Sequence, residues 1–191
     1  MSRFDYSSIS QGRDHPDFAS TKWVQDLLND PNIQYVPERG SFSKTDVSNT
    51  MFDLTLSHPE GIRARILFRR SAQDPNAASK FEECYLMSVG DGLDGKTGRA
   101  HGGLTSVVLG QLLGGTANRL DPERLLPPAT ATLTVDYKAP ISTPCIIFAR
   151  SWATEITPRK VWLKGTVEDG HGRVYATGKA LFVNPRSKAN M

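Results

Sequence analysis

The segment that most constrains this 191-residue chain is HGGLTSVVLGQLLGGTAN, residues 101–118. Leu104, Val107, Val108, Leu109, Leu112 and Leu113 fall around most of a helical circumference instead of along one stripe. A helix apolar on nearly every side has to be enclosed by other elements. The segments flanking it are strand-like, so the enclosing material has to be sheet. Gly110, Gly114 and Gly115 sit inside this helix, and a mid-helix glycine costs about 1 kcal/mol relative to alanine. They predict close approach by backbone, ligand or a second subunit.

Before the helix, strands are predicted near 48–56, 61–70 and 81–89. In the second, Ile62, Ala64, Ile66 and Phe68 alternate with Arg63, Arg65, Leu67 and Arg69. That is the pattern of a half-buried strand with one mostly basic face. After the helix, residues 130–137 set Thr130, Thr132, Thr134 and Asp136 against Ala131, Leu133, Val135 and Tyr137. Residues 145–153, 160–168 and 173–183 complete the strands, with Asp169-Gly170-His171-Gly172 as the last hairpin turn. Short turns between consecutive strands favour antiparallel pairing. The expected fold class is α+β, a curved antiparallel sheet wrapped around one long buried helix.

Residues 1–16 are polar, and FASTKWVQDLLNDP follows as a short helix. Trp23, Val24, Leu27 and Leu28 share its helical face, Ser20 is placed to cap it and Pro31 ends it. Residues 30–46 read as loop. The expected organisation is an N-terminal extension over 1–46, one domain over 47–186 and a tail over 187–191.

Composition narrows the function classes. Hydrophobic residues are 38% and charged residues 23% of the chain, ordinary values for a globular protein. No run approaches the roughly 20 apolar residues of a membrane span. The N-terminus lacks the apolar run of a secretion signal. Cys84 and Cys145 have no metal-ligand spacing, and two free thiols fit a reducing compartment. A cytoplasmic location is expected, with no metal, no nucleic acid and no membrane. Net charge is +3, split between residues 1–60 with 5 Lys/Arg against 9 Asp/Glu and residues 61–191 with 18 against 11. A basic body can attract an anionic ligand.

Three segments together carry a resemblance: HGG opening the buried helix, then TATLTVDYKAP, then PRKVWLKGTVEDGHGRVYATGKALFV. Over roughly residues 48–184 the chain resembles the hotdog-fold thioesterase superfamily, in its PaaI/THEM4-like branch, and it is similar to fungal members with an N-terminal extension. The resemblance implies a homodimer or higher assembly, often through a continuous sheet, with active sites at the subunit interface. It implies an acyl-CoA or acyl-carrier thioester as substrate. No cofactor is implied, coenzyme A entering only as part of the substrate. The N–H of Gly102 would form the oxyanion hole, with His101 orienting the loop or contacting the thioester and Gly103 beside them. The physics fits, because unpaired N–H groups and the dipole at a helix start favour negative charge, and such donors stabilise a polarised thioester carbonyl. Asp136, Tyr137 and Lys138, with Arg159 and Lys160, match the segments that hold the coenzyme A moiety.

One departure matters. The family's hydrolases usually carry Asp or Glu nine positions after the histidine, and often a second acid next to it. Here those positions are Gly110 and Gln111. Glutamine bonds a water but cannot take its proton, and losing a general base costs about 10²–10⁴-fold in rate. Asp94, His101 and Ser106 are the candidates to replace it, with Thr105 and Asp91 nearby. Three functions stay open: a thioesterase-like enzyme with an atypical site; a non-hydrolytic dehydratase, isomerase or cyclase of secondary metabolism, acting on a hydrophobic metabolite; and a non-catalytic acyl-ligand binder. Gly110 is also expected to open pocket volume.

Overall fold

The computed structural model describes residues 12–36, 50–123 and 126–185. Two short helices come first, α1 (Pro16–Ala19) and α2 (Lys22–Leu28), followed by the two-residue strand β1 (Gln34–Tyr35). A π-helical turn, Met51–Thr55, precedes β2 (Ile62–Ser71) and β3 (Phe81–Val89). A small hairpin, β4 (Asp94–Lys96) and β5 (Arg99–Ala100), leads into α3 (Gly102–Arg119). Four strands follow: β6 (Ala129–Tyr137), β7 (Cys145–Ile156), β8 (Lys160–Glu168) and β9 (Val174–Val183). Among the described residues no helix is long and apolar enough to cross a membrane.

Seven strands form one antiparallel sheet in the order β1-β2-β3-β7-β8-β9-β6. Its inner face holds α3. Leu104, Val108, Leu109, Leu112, Leu113 and Ala117 are buried there against Leu67, Met87, Ile147, Leu163, Ala176 and Phe182. Gly165 and Gly178 are paired across β8 and β9, and the helix rests over them. A Cβ on Gly165 would meet Leu109 Cδ2 at 3.2 Å, and one on Gly178 would meet Leu109 Cδ1 at 3.2 Å. The missing side chains form the groove that admits two leucines of α3. At its far end Arg119 pairs with Glu83, a cation placed where the helix dipole favours one.

The outer face carries a second core. Ala64, Ile66, Phe68, Cys84, Leu86 and Phe148 are buried under Phe18, Val24 and Leu28 of α1 and α2. Gly170 leaves room for the Trp23 ring, which a Cβ would meet at 2.5 Å. Beside this core lies a buried ionic network. Glu82, 0% exposed, accepts from Arg70 Nε at 2.8 Å and from Arg150 at 3.2 Å. Arg150 also donates to Glu168 at 2.8 Å.

Four expectations are corrected. The segment near 48–56 is a helical turn where it is described, not a strand, because Phe52 turns into the core and its carbonyl accepts from Arg65. The N-terminal helix is two helices, with Ser20 closing α1 and Thr21 starting α2. The loop over 30–46 contains β1, which pairs Gln34 with Arg69 and Tyr35 with Phe68. Strand β2 is covered on both faces, so Arg65 is only 6% exposed and pairs with Asp53 at 2.5 Å. Residues 1–11, 37–49, 124–125 and 186–191 lie outside the described residues, and with them both ends of the predicted extension and the whole tail.

Candidate active site

The start of α3 is held by four hydrogen bonds. His101 occupies the N-cap in extended conformation, and its Nδ1 accepts from the Gly103 N–H at 2.8 Å. The His101 N–H donates to the Leu93 carbonyl at 2.9 Å. The Tyr137 hydroxyl donates to the Gly102 carbonyl at 3.0 Å and lies 2.6 Å from Ser106 Oγ. Among the described residues the Gly102 N–H has no acceptor. It is one of the orphan donors every helix start exposes.

Accepting at Nδ1 decides the histidine's chemistry. A neutral imidazole has one donor nitrogen and one acceptor. With Nδ1 committed as acceptor, the proton sits on Nε2. His101 therefore presents a hydrogen-bond donor at Nε2. His15 caps α1 in the same manner, its Nδ1 accepting from Asp17 N–H at 3.2 Å.

A cleft of about 350 Å³ lies beside this turn. Gly102, Thr105, Tyr137, Lys138, Ile141 and Tyr175 are among its walls. The Tyr137 ring packs on Gly102, where a Cβ would come within 3.4 Å of Cε1. Lys138 is anchored by its N–H to the Tyr175 carbonyl at 2.8 Å. Burial pushes the Tyr175 phenol up, and Asp169 adds to the effect. The polar side chains of the cleft are thus hydroxyls and one ammonium, without a carboxylate or an imidazole. Tyr175 escaped sequence reasoning because its place depends on the long-range register between β6 and β9.

The other predicted residues are scattered. Asp94 is committed to the hairpin before α3. One oxygen accepts from the Gly98 N–H at 2.7 Å and the other from the Thr143 hydroxyl. Asp136 pairs with Thr177, which pairs with Thr166 and so with Arg150. That register puts Asp136 on the outer face, away from α3. Gly110 and Gln111 are half-buried on the helix. A Cβ at Gly110 would meet Leu133 Cδ2 at 3.6 Å, an ordinary contact. Gly110 does not line the cleft, so the extra volume expected of it is not found there. Arg159 and Lys160 lie at the start of β8, whereas the cleft lies beside Tyr137, level with Val167 at the far end. Seven residues of strand separate the two levels, about 23 Å. Among the described residues no group of three or more His, Cys, Asp and Glu is arranged to hold a metal.

No family model matches the chain. The sequence is 27% identical over 181 residues to acyl-coenzyme A thioesterase THEM4 of Xenopus laevis, covering 86% of this chain and 78% of that protein. AziG of S. sahachiroi superposes with a TM-score of 0.52 at 20% identity, over 56% of this chain and 85% of that one. A thioesterase superfamily protein superposes with a TM-score of 0.50 at 20% identity, over 62% of this chain. Only 53% of that protein's length is matched. The two superpositions share the architecture described above, a large antiparallel sheet with one long helix packed on it.

Proposed function

From this chain's place among the PaaI/THEM4-like members of the hotdog-fold thioesterase superfamily, we propose that it is a thioesterase-like protein with an atypical site. It takes an acyl-CoA or acyl-carrier thioester. The carbonyl of the thioester accepts from the Gly102 N–H, with the Nε2–H of His101 as a second donor. The observation that carries this reading is the Gly102 N–H, which starts an 18-residue helix and has no acceptor among the described residues. Backbone donors of that kind stabilise the charge that develops on a carbonyl oxygen under attack. The relative from Xenopus laevis, an acyl-coenzyme A thioesterase by name, supports the substrate class.

The site is completed by a second copy. Positions 102 and 110 are eight residues apart on one helix, about 12 Å. A group at 110 cannot act on a carbonyl held at Gly102 of the same chain. Among the described residues strand β6 pairs with β9 and with no strand on its other edge. Antiparallel pairing of β6 with the same strand of a second copy is self-complementary, as a two-fold interface must be. It brings the end of one sheet that carries Arg159 and Lys160 toward the partner's cleft. We place this dimer in the cytoplasm, in keeping with two free cysteines.

One observation favours a second reading. Among the described residues the cleft and the helix start offer hydrogen-bond donors, and no carboxylate lines the cleft. A site of donors alone binds an oxyanion without activating water. It suits an acyl-ligand binder, or a non-hydrolytic enzyme of secondary metabolism whose substrate supplies its own base.

Thiol release and acyl-CoA binding separate the readings, with the natural chain beside the double variant Gly110→Asp, Gln111→Glu. The contact distance at Gly110 admits a Cβ without a clash. The expected result is binding by both proteins and slow release by the natural chain. The variant should be faster by about 10²-fold, the lower range for a general base. Binding without release by the natural chain selects the second reading. No binding by either protein overturns both.

A further inference from the structure

Tyr137 is 56% exposed, yet its ring is fixed against the helix start by two hydrogen bonds. We infer that Tyr137 is a positioning residue that holds the first turn of α3 and, through the Gly102–Gly103 peptide, fixes His101 as an Nε2–H donor. The inference rests on the proposed function only for its effect on ligand binding.

The geometry forms one continuous chain. The Tyr137 hydroxyl donates to the Gly102 carbonyl at 3.0 Å. Having given its proton there, it accepts from Ser106, whose Oγ is 2.6 Å away. The Gly102 carbonyl shares its peptide group with the Gly103 N–H, which donates to His101 Nδ1 at 2.8 Å. Ser106 thus donates to Tyr137, Tyr137 to the peptide, and the peptide to the imidazole. A bond to the carbonyl makes the N–H of the same peptide a stronger donor, because hydrogen bonds in series polarise one another. A stronger donor at Nδ1 favours the tautomer protonated at Nε2. The second nitrogen's partner sets which tautomer a histidine adopts. Tyr137 itself is not placed to touch the ligand carbonyl. Its hydroxyl is at the C=O side of Gly102, whereas the ligand would sit at the N–H side, and the two groups of one helical residue point in opposite directions along the axis.

The residue types fit this role. A Cβ at position 102 would press on the Tyr137 ring at 3.4 Å, so glycine allows the tyrosine to approach. Tyr137 lies at the end of β6 and Ser106 one turn into α3. The contact therefore ties the sheet to the helix start at the level where the carbonyl would bind.

The test uses the full chain labelled with nitrogen-15, the Tyr137→Phe variant, and Ser106→Ala as a second variant that leaves the ring in place. Histidine side-chain spectra near pH 8, assigned with His101→Gln, report the tautomer. Amide exchange reports the Gly103 N–H. The natural chain should show His101 protonated at Nε2. Tyr137→Phe should shift the His101 nitrogens toward a tautomer mixture and speed Gly103 exchange about five-fold relative to Leu112 and Leu113, the size of one lost hydrogen bond. Ser106→Ala should do the same more weakly. Tyr175→Phe, whose ring lines the same cleft without bonding α3, should move neither signal. Unchanged His101 spectra and Gly103 exchange in both Tyr137→Phe and Ser106→Ala overturn the inference. Should the phenylalanine variant not fold, Ser106→Ala alone decides. Acyl-CoA binding is read separately and should weaken several-fold in Tyr137→Phe. If the natural chain binds none, the proposed function fails while the spectra still judge Tyr137.

Discussion

The two faces of the sheet are closed in different ways. The inner face is filled by α3, a single helix of 18 residues that is buried along most of its length. The outer face is closed by α1 and α2, of 4 and 7 residues, and by an ionic network around Glu82. Isolated helices this short are marginal in water. The sheet they pack on stabilises them, through Phe18, Val24 and Leu28. The inner core builds the candidate site, since it aims α3. The outer core supports the strands from behind. The inner layer should therefore fail with the whole fold, and the outer layer should be separable from it.

Truncating one large side chain in each core tests this most strongly. Leu109 touches both glycines of the groove, so Leu109→Ala should cost about 4 kcal/mol, in the upper range for a buried leucine. Phe18→Ala should cost about 3 kcal/mol. Urea unfolding followed by tryptophan fluorescence and by circular dichroism reads both. The leucine variant should keep one coincident transition at lower urea. The phenylalanine variant should split, with an early partial fluorescence change from Trp23, which packs on the outer layer, ahead of the change from Trp152 and Trp162 in β7 and β8. Coincident transitions in Phe18→Ala would show that the two layers unfold as one unit.

The glycines give a finer contrast. Gly165→Ala sets a Cβ 2.9 Å from the Arg150 carbonyl and 3.2 Å from Leu109. Backbone on one side and a packed leucine on the other leave little room to adjust. Overpacking of this kind costs about 1–3 kcal/mol. Gly110→Ala meets only Leu133 at 3.6 Å, and alanine is the better helix former by about 1 kcal/mol. It should be neutral or stabilising. Thermal unfolding of the pair ranks them, and equal effects would mean the groove does not seat α3 as described.

Those glycines also mark where sequence reading stops. Strand alternation, the polar turns and the all-round apolar helix are local signals, and β2, β3 and β6–β9 lie close to where they predict. The second core was not legible. Trp23, Val24, Leu27 and Leu28 read as an ordinary amphipathic stripe, and nothing local says that the stripe, with Phe18 beside it, covers Phe68 and Cys84. The same holds for Arg65, which looks solvated in an alternating strand and is buried by a turn that itself reads as strand. At the site, HGG and the missing carboxylate were visible in the sequence. Asp94 looked available because its partners, Gly98 and Thr143, are chosen by folding. Which end of the sheet Arg159 and Lys160 occupy was not legible, because motif order says nothing about it.

The two cysteines allow the smallest effect to be read most directly. Cys84 is fully buried in the outer core, and burial, with Glu82 adding, pushes its thiol far up. Cys145 is half-buried at the start of β7, and burial pushes its thiol up to about 11 against a weaker opposing pull from Arg63. The thiolate is the reactive form. Cys145 should thus be labelled slowly in the native protein, at a rate that rises about tenfold per pH unit up to its shifted value. The sign for stability is opposite. A folded-state value above the unfolded 9.0 favours the fold fully below pH 9, and that contribution is lost as pH rises through about 11. Cys84 has no native route to reagent and should be labelled only when α1 and α2 lift away. Phe18→Ala should speed Cys84 labelling far more than Cys145 labelling, since Phe18 packs in one cluster with Cys84, whereas Cys145 packs against the inner core and is already half-buried. If Cys84 reacts only at the rate of global unfolding in both proteins, the outer layer does not open by itself, and the difference drawn between the two faces is lost.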